Sequence, residues 1–217
     1  MNRLSCAGLL AVSLFTLACK SDNTQSANAQ IKANGKDTTI NFSNSPAKQL
    51  PAGWSAETGV WQIDTDSANP ALKMTRNENT DFNVAVFKSA YYQNIEIEAK
   101  AKAVSGEEDQ GGGLVWRFVD SRNYYIVRFN PLENNIRLYK VVNGTRKQMQ
   151  SENAQIKSGN WFTIKVKASG DKIECYLDGE KVLSDTDDTF ESPGLVGFWS
   201  KADAVSIFDD LKIDVLK

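Results

Sequence analysis

The feature that most constrains the fold is a two-residue alternation of side chains that repeats on both sides of a short polar turn. In the segment GGGLVWRFVDSRNYYIVRFN, residues 111–130, the apolar Leu114, Trp116 and Phe118 alternate with a second set of side chains. Beyond the turn, aromatic and β-branched residues alternate in the same way. Successive side chains of a β-strand point to opposite faces, so the pattern predicts two antiparallel strands that share one buried face.

The register of these strands follows from the length of the turn between them. A two-residue turn at Ser121-Arg122 gives three apolar pairs on one face, namely Phe118 with Tyr125, Trp116 with Val127, and Leu114 with Phe129. The pairing continues across the PLENN turn, where Phe129 lies opposite Ile136, and at Asn143-Gly144, a strong signal for a type I′ hairpin. Four consecutive strands are therefore predicted to form a meander.

The glycine triplet at 111–113 precedes a strand, and no helical pattern follows it. A phosphate-binding loop needs its glycines between a strand and a helix, usually with a Lys-Ser or Lys-Thr pair. The triplet is therefore predicted to be a strand entry or a bulge, and nucleotide binding is not expected.

Short runs of the same kind fill the chain after residue 37, and no segment there has a convincing helical pattern. Turn signals such as Asp178-Gly179 and Pro193-Gly194 separate them. With the four strands of the meander they make about a dozen strands, which predicts an all-β sandwich of two antiparallel sheets. The other predicted strands are TTINF, VWQID, VAVFKS, NIEIEAKAK, NWFTIKVKA, KIECYL, EKVL, LVGFWS and VSIFDDLKIDVL.

The first residues, MNRLSCAGLLAVSLFTLACKSDN, combine a basic Arg3 with an apolar run that is too short for a membrane span. Residues 1–18 are predicted to be a lipoprotein signal peptide, because FTLAC resembles a bacterial lipobox in which Cys19 becomes the lipidated N-terminus. The alternative is an ordinary cleaved signal with an incidental cysteine. Residues 19–37, rich in Ser, Asn, Gln and Ala, are predicted to be a flexible tether, which leaves 38–217 as the sandwich domain.

A lipidated cysteine predicts a location in the bacterial cell envelope, with membrane contact through the lipid anchor alone. Lys20 follows Cys19, and a residue other than aspartate at this position resembles the sorting pattern of outer-membrane lipoproteins in Gram-negative bacteria. The outer membrane is therefore the expected location.

Composition removes several classes of function. The chain contains no histidine, which excludes histidine-based triads, general bases and metal ligands. Its formal net charge of −2 argues against nucleic-acid binding, which usually needs a strongly basic face. Cys175 is the one cysteine after Cys19 and lies in phase with Ile173 and Leu177, so a buried structural thiol is expected.

The order of motifs along the chain resembles that of a known group. The motifs are EDQGGGLVWR, SRNYYIVRFNPLENNIRLYKVVNG, YLDGEKV and PGLVGFWSKADAVSIFDDLKI, with PAGW and ETGVWQI near the start of the domain. They are similar to concanavalin A-like sandwiches of the laminin-G and glucanase type, and most of all to the bacterial domain labelled 3-keto-disaccharide hydrolase or family-16-glycosidase-like. The resemblance implies a jelly roll of two curved antiparallel sheets, with a concave face that often holds carbohydrate.

Catalytic acids are not evident in the sequence. Glucanases of this fold place their acids on one strand as E-x-D-x-x-E, and the nearest match, EEDQGG at 107–112, has a glycine in place of the third acid. Glu96 and Glu98 share a strand face with Lys100 and Lys102, which favours a solvated charged surface. No residue is therefore assigned as catalytic, and classical glucanase catalysis is not supported.

Arginines interrupt the apolar meander, and the predicted register places Arg128 opposite Arg137. Facing like charges are unfavourable unless an anion or a hydrogen-bonding group lies between them. That group is either a carboxylate from a neighbouring strand, Glu96 or Glu98, or a bound ligand, since guanidinium groups and tyrosines suit sugar hydroxyls, uronates or a keto-sugar oxygen. The residues predicted to line this ligand site are Arg117, Tyr124, Arg128, Arg137 and Tyr139, with Glu96 and Glu98.

Two aspartates near the C-terminus suggest a metal. The alternation places Asp209 in phase with Ile207 and Leu211, toward the core, and a buried carboxylate needs a cation or several donors. Calcium would suit Asp209 and Asp210, because its ligands are carboxylate and carbonyl oxygens. The alternative is a bulge, or hydrogen bonds from backbone N–H groups. No other cofactor is expected.

Three functions compete at this stage. The first is an envelope lipoprotein whose sandwich binds carbohydrate on its concave face without classical glucanase catalysis. The second is a hydrolase that acts on 3-keto-glycosides or 3-keto-disaccharides, as the resemblance implies. The third is a protein adhesion module of the laminin-G type. The first is favoured because no acid pair with catalytic spacing stands on a strand predicted to face the cleft.

Overall fold

The computed structural model describes residues 31–64, 69–76 and 81–217. The predicted signal peptide, Cys19 and the first part of the predicted tether lie outside these ranges, and their assignments stay predictions. Every regular element in the described ranges is a β-strand, which confirms the all-β class. Those ranges contain no helix with the length and apolar character of a membrane span.

The described residues form two antiparallel sheets. Sheet A has the strand order β13-β12-β11-β6-β15-β4-β3, with β1 paired to β15, and sheet B has the order β10-β9-β8-β7-β14-β5-β2. The strands are β1 Thr38–Ile40, β2 Trp54–Thr58, β3 Val60–Asp64, β4 Ala71–Arg76, β5 Phe82–Tyr92, β6 Ile95–Ser105, β7 Gly112–Asp120, β8 Asn123–Asn130, β9 Asn135–Val142, β10 Thr145–Asn153, β11 Phe162–Ser169, β12 Lys172–Leu177, β13 Glu180–Thr186, β14 Gly194–Lys201 and β15 Val205–Val215.

The ordered domain begins before residue 38. Asn34 and Gly35, which the sequence assigns to the tether, donate their backbone N–H groups to the carbonyl oxygen of Tyr91, each at 3.1 Å. Asp37 accepts a hydrogen bond at 2.8 Å from the N–H of Val215. The last residues of the predicted tether are therefore attached to the sandwich.

The predicted meander is β7 to β10, and its register is confirmed between β8 and β9 and at the hairpin between β9 and β10. Phe129 pairs with Ile136 across the turn between β8 and β9, and Val142 pairs with Thr145. Asn143 and its neighbouring glycine have φ values of 52° and 83°. A type I′ turn needs positive φ at both central residues, so this hairpin is of the type that the sequence predicts.

The three apolar pairs predicted between β7 and β8 are wrong, because β7 contains a bulge. Trp116 pairs with Tyr125, and Leu114 pairs with Val127, a shift of two residues from the prediction. Between Trp116 and Asp120, β7 carries more residues than the part of β8 that faces it. Arg117 lies in this bulge with a φ of 45°. The extra residues reset the alternation and turn Phe118 to the outer face of sheet B, away from the core that contains Trp116.

The core lies between the inner faces of the two sheets. Alternate apolar side chains of β6 and β11 in sheet A pack with those of β7, β8 and β9 in sheet B. Each large side chain that is fully buried there contributes about 1.5–3 kcal/mol. Cys175 belongs to this core, and burial raises the pKa of its thiol, as expected for a structural cysteine.

Arg117 joins the two sheets instead of lining the outer face, so its assignment to the ligand site is wrong. Its guanidinium donates at 2.7 Å to the carbonyl of Phe190, at 2.6 Å to that of Gly170 in the turn between β11 and β12, and at 3.4 Å to that of Gln93. The residue is only 3% exposed, and burial lowers its pKa. The bulge directs the side chain to the edge of the sandwich, where these three carbonyls converge.

The glutamates of β6 are also far from the arginines of the meander. Lys165 Nζ on β11 lies 3.2 Å from Glu96 Oε1 and 3.9 Å from Glu98 Oε2. Strand β6 belongs to sheet A, whereas the meander belongs to sheet B. The assignment of Glu96 and Glu98 to the ligand site is therefore wrong, and both lie on a charged outer face of sheet A.

Asp187 fixes the segment after β13 against the end of sheet B. Its carboxylate accepts hydrogen bonds from the hydroxyl of Tyr125 at 2.6 Å and the N–H of Thr189 at 2.9 Å, and it pairs with Lys140. Burial raises the pKa of Asp187, but these donors outweigh it and hold the pKa well below its ordinary value of 3.8. The charged form is therefore the one that stabilises the fold.

We expect Arg117→Ala to lower the free energy of unfolding by about 2–4 kcal/mol, because it leaves three carbonyls without their charged donor. The midpoint of urea unfolding, compared at unchanged slope, measures this loss. Arg122→Ala is the matched control, since Arg122 is an exposed turn residue, and we expect a change of at most about 0.5 kcal/mol. Equal losses in the two variants would contradict the role given to Arg117.

Asp187 should make part of the stability depend on pH. Its pKa is lower in the folded chain than in the unfolded chain, so its contribution is complete above about pH 5 and is lost as the pH falls below about 4. We expect Asp187→Asn to destabilise the protein at pH 7 and to flatten the fall in stability between pH 5 and pH 3. The exposed neighbour Asp188, replaced by Asn, is the control, and an unchanged acid limb in the Asp187 variant would refute this account.

Candidate functional site

The outer face of sheet B carries an apolar cluster of its own, separate from the core between the sheets. Its buried members are Val84, Val86, Val115, Phe118, Tyr124, Ile126, Val141, Leu195 and Trp199. Isolated outer faces of antiparallel sheets are usually polar, so a buried apolar floor here marks a face that is partly enclosed.

Contacts across this face show that the sheet is curved. Arg146 on β10 lies five strands away from Phe82 on β5, which in a flat sheet is about 24 Å. Yet the guanidinium carbon of Arg146 is 5.2 Å from the centre of the Phe82 ring. An arginine and a phenylalanine cannot bridge the flat distance, so the sheet bends toward this side and the outer face of sheet B is concave.

The glycine triplet gives room to large side chains of β8. A Cβ atom at Gly111 would lie 2.7 Å from Asp109 Oδ1 and 3.2 Å from Arg128 Nε. On the opposite side, a Cβ at Gly112 would lie 2.5 Å from the ring of Phe129. The triplet is the entry to β7, as predicted, and it allows the Arg128 side chain to lie across the strand.

A carboxylate from the turn between β8 and β9 neutralises the two facing arginines. Arg128 pairs with Arg137 in the register, as predicted. Glu133 Oε1 lies 2.8 Å from Arg128 Nη2, and Glu133 Oε2 lies 2.7 Å from Arg137 Nη1. The sequence predicts that an anion or a ligand separates these arginines, and the anion is Glu133 rather than a glutamate of β6.

The protonation of Glu133 is set by these neighbours. Partial burial raises its pKa, but a hydrogen bond from Asn135 and the charges of the nearby arginines lower it more, so the pKa lies below its ordinary value. Glu133 therefore stays ionised at neutral pH with both oxygens bound. Burial also lowers the pKa of Arg128, which nevertheless remains charged.

A second carboxylate lies beside this group. The side-chain amide of Asn130 donates at 3.0 Å to Asp109 Oδ1 and at 3.2 Å to Glu133 Oε1, so the two acids bind the same nitrogen. Asp109 Oδ1 also accepts the N–H of Gly111 at 2.6 Å, and Lys201 Nζ lies 3.9 Å from Asp109 Oδ2. The shared amide nitrogen thus brings two carboxylates close together, and a pair of carboxylates is the catalytic group of most glycoside-cleaving enzymes.

Aromatic rings surround a third arginine on the same face. The guanidinium carbon of Arg146 lies 4.5 Å from the ring centre of Tyr139 and 5.7 Å from that of Trp199, in addition to its contact with Phe82. Arg137 Nη1 donates to the hydroxyl of the same Tyr139 at 3.5 Å. Arg137 and Arg146 therefore meet at one tyrosine.

Four of the predicted site residues share this face, and solvent reaches them unequally. Arg137 has 28% of its side chain exposed, whereas Arg128 has 1%. Tyr124 is fully buried in the apolar floor, where burial raises the pKa of its hydroxyl. Arg128, Tyr124 and Tyr139, which is 4% exposed, therefore form the floor, and Arg137 is the accessible residue among the four.

Sequence reasoning missed Asp109, Glu133 and Arg146. Arg146 pairs with Val141, so the type I′ hairpin already placed it in the phase of Tyr139. The register of this hairpin could therefore have identified Arg146 from the sequence. Glu133 lies in a turn and Asp109 in a loop, where strand alternation does not define a direction.

The aspartates of β15 occupy a second bulge. The register with β6 shifts between Asp209 and Lys212, and Asp210 has a φ of 49°. Asp209 Oδ1 accepts the N–H groups of Asp210 at 2.8 Å and Phe42 at 3.4 Å, and burial raises the pKa of this carboxyl. The prediction that Asp209 faces the core in phase with its neighbours is wrong, because the bulge breaks that phase.

The metal assignment at these aspartates stays a prediction. Asp210 Oδ2 lies 2.8 Å from Lys100 Nζ. The described residues contain no group of three or more acidic, histidine or cysteine side chains placed to hold a metal ion. Backbone donors to Asp209, the alternative that the sequence left open, are observed.

Comparisons with known proteins identify relatives along most of the domain. Residues 32–214 match the family model of the 3-keto-alpha-glucoside-1,2-lyase-like domain. The levanase of Bacillus subtilis (strain 168) is 24% identical over 173 residues, which is 78% of this chain and 24% of the levanase. The chain therefore spans about a quarter of the length of that curated relative.

Solved structures share the architecture. The carbohydrate-binding module CBM66 from Bacillus subtilis superposes with a TM-score of 0.65 at 21% identity, over 75% of this chain and 95% of the module. The β-glucanase of Bacillus licheniformis superposes with a TM-score of 0.59 at 12% identity, over 84% of this chain and all of the glucanase. These likenesses confirm a concanavalin A-like jelly-roll sandwich, a fold shared by carbohydrate-binding modules and glycan-cleaving enzymes.

Proposed function

The chain belongs to the 3-keto-alpha-glucoside-1,2-lyase-like domain family, and from this premise we propose that its sandwich binds carbohydrate on the concave face of sheet B. The observation that carries the proposal is Arg137 held beside Tyr139 by Glu133 on an open face. The accessible guanidinium and carboxylate offer donors and acceptors that match pairs of sugar hydroxyls. Arg128 is a positioning residue, because it fixes Glu133 from below without reaching solvent.

We propose further that binding takes place without classical glucanase catalysis. A general acid must hold its proton near neutral pH, which requires a raised pKa. Glu133 has a lowered pKa, and both of its oxygens accept from arginines. Asp109 uses Oδ1 to accept two hydrogen bonds. Both carboxylates are thus engaged in holding the face together.

The proposed setting is the surface of a bacterial envelope. The lipobox-like FTLAC at residues 15–19 would attach the chain through Cys19, and the following polar residues would separate the sandwich from the lipid. A binding domain held in this way would collect glycans at the membrane. Incorporation of labelled palmitate into the full chain, and its loss in Cys19→Ala, would establish the anchor.

We expect Arg137→Ala to weaken glycan binding at least ten-fold, about 1.4 kcal/mol, because it removes the accessible guanidinium next to Tyr139. A glycan array probed with the full chain in detergent, followed by calorimetry with the best ligand, measures the change. Lys165→Ala is the matched control, since Lys165 lies on the outer face of sheet A. Unchanged affinity in the Arg137 variant, or equal loss in the control, would refute the proposed site.

A second candidate function is the cleavage of 3-keto-glycosides. The observation in its favour is that two carboxylates, Asp109 and Glu133, accept hydrogen bonds from the same side-chain amide of Asn130. In this reading one carboxylate would serve as a base toward a sugar C–H or a water, and the arginines would stabilise a developing oxyanion. The family description is consistent with such chemistry.

Turnover of 3-keto-trehalose or a 3-keto-glucoside separates the two candidates. If the chain is an enzyme, either Asp109→Asn or Glu133→Gln should reduce the rate at least a hundred-fold, because the variant at the base removes the proton acceptor. Product formation by chromatography measures it, with Asp188→Asn as the control. Glycan binding without any product would favour the binding module, and neither binding nor product would favour a protein adhesion module.

A further inference from the structure

Among the described residues, Arg146 is a cation without a carboxylate in direct contact, although its charge helps to lower the pKa of Glu133. Glu133 is shared between Arg128 and Arg137, and Asp109 has Lys201 beside it. Arg146 forms no ion pair with any described residue. Its Nη1 atom is buried and lacks a hydrogen-bond partner among the described residues, although the side chain as a whole is only half-buried.

The aromatic rings compensate this charge only in part. Contacts with the faces of Tyr139, Phe82 and Trp199 attract a guanidinium through their quadrupoles, but they do not accept its N–H groups as an oxygen would. A charge withdrawn from water is best satisfied by an opposite charge with matching donors and acceptors. The rings therefore hold Arg146 in place, and the part of its guanidinium that solvent reaches is left for an anion to pair.

The accessible part of the concave face has an excess of positive charge. Arg137, Arg146 and Lys201 are all partly open to solvent, against two exposed acids, Glu133 among them and Asp120 near Tyr124 at the end of β7. Asp109 is nearly buried. A neutral sugar would leave this excess uncompensated, whereas a ligand carboxylate would complete it.

We propose that the site binds an acidic sugar, whose carboxylate lies between Arg146 and Arg137 above Tyr139. This inference rests on the proposed function, since it names the class of carbohydrate. The planar guanidinium of Arg146 matches a planar carboxylate with two parallel hydrogen bonds. Hydroxyls of the same uronic acid residue then donate to Glu133, and its ring oxygen or another hydroxyl accepts from Lys201, which sets the orientation of the sugar.

The experiment compares acidic oligosaccharides with their neutral counterparts. Oligogalacturonate, oligomannuronate and glucuronoxylan oligosaccharides, and the same compounds after carboxyl reduction, are titrated into the full chain in detergent by calorimetry. We expect at least one acidic form to bind ten-fold or more tightly than its reduced counterpart, and its affinity to fall as sodium chloride is raised. Arg146→Gln should bring the two affinities within about two-fold of each other, whereas Arg146→Lys should keep part of the preference.

Lys212→Gln, the same loss of charge on the other sheet, is the control, and thermal unfolding verifies that each variant folds. Equal binding of acidic and reduced forms by the wild type overturns this inference while the carbohydrate site stands. The same holds if only neutral glycans bind, or if sulfated galactose oligomers bind as tightly as the uronates. Failure to bind any glycan, acidic or neutral, overturns the proposed function itself.

Discussion

A single carboxylate determines the chemistry of the concave face. Arg128 and Arg137 stand opposite each other on β8 and β9, an arrangement that is unfavourable without an anion between them. Glu133 supplies that anion from the turn that joins the two strands, with one oxygen for each arginine. The turn between Asn130 and Asn135 is short, so the strand pairing that sets the register also sets the position of the Glu133 carboxylate. The hairpin thus carries a preformed surface of paired charges, whose orientation depends on backbone geometry.

Two bulges decide where sequence reasoning succeeds. Leu114, Trp116 and the inward side chains of β8 follow the alternation into the core, and the hairpin at Asn143-Gly144 has the predicted register. At Arg117 and at Asp209-Asp210, extra residues reset the phase. Strand alternation assumes that each residue faces one residue of the neighbouring strand. It cannot detect a bulge such as that at Arg117, whose side chain binds carbonyls distant in the sequence. The architecture was therefore predictable, and the direction of these side chains was not.

The site was predictable only in part for the same reason. Register reasoning placed Arg128, Arg137 and Tyr139 on one face, and the same hairpin would have added Arg146. Register reasoning could not find Asp109, because Asp109 lies in a loop. Three backbone N–H groups of this loop donate to Asp203, which is more than ninety residues away in the sequence. Register reasoning also assigned the balancing carboxylate to β6, since a local pattern does not say which sheet a strand joins. Long-range topology, not propensity, supplies that information.

Burial separates the roles of the three arginines. Arg128 lies beneath the surface, and its charge orients Glu133. Its guanidinium is therefore paired within the protein and does not meet a ligand. Arg137 shares Glu133 but remains accessible, and Arg146 is held by rings alone. A face designed for acid catalysis would need one carboxyl with a raised pKa, whereas here the surrounding cations lower the pKa of Glu133. In the site proposed for an acidic sugar, the same cations would pair with its carboxylate. The lowered pKa of Glu133 and the proposed binding of an anion have the same cause, the number of guanidinium groups on this face. Such a face is better suited to binding an anion than to donating a proton.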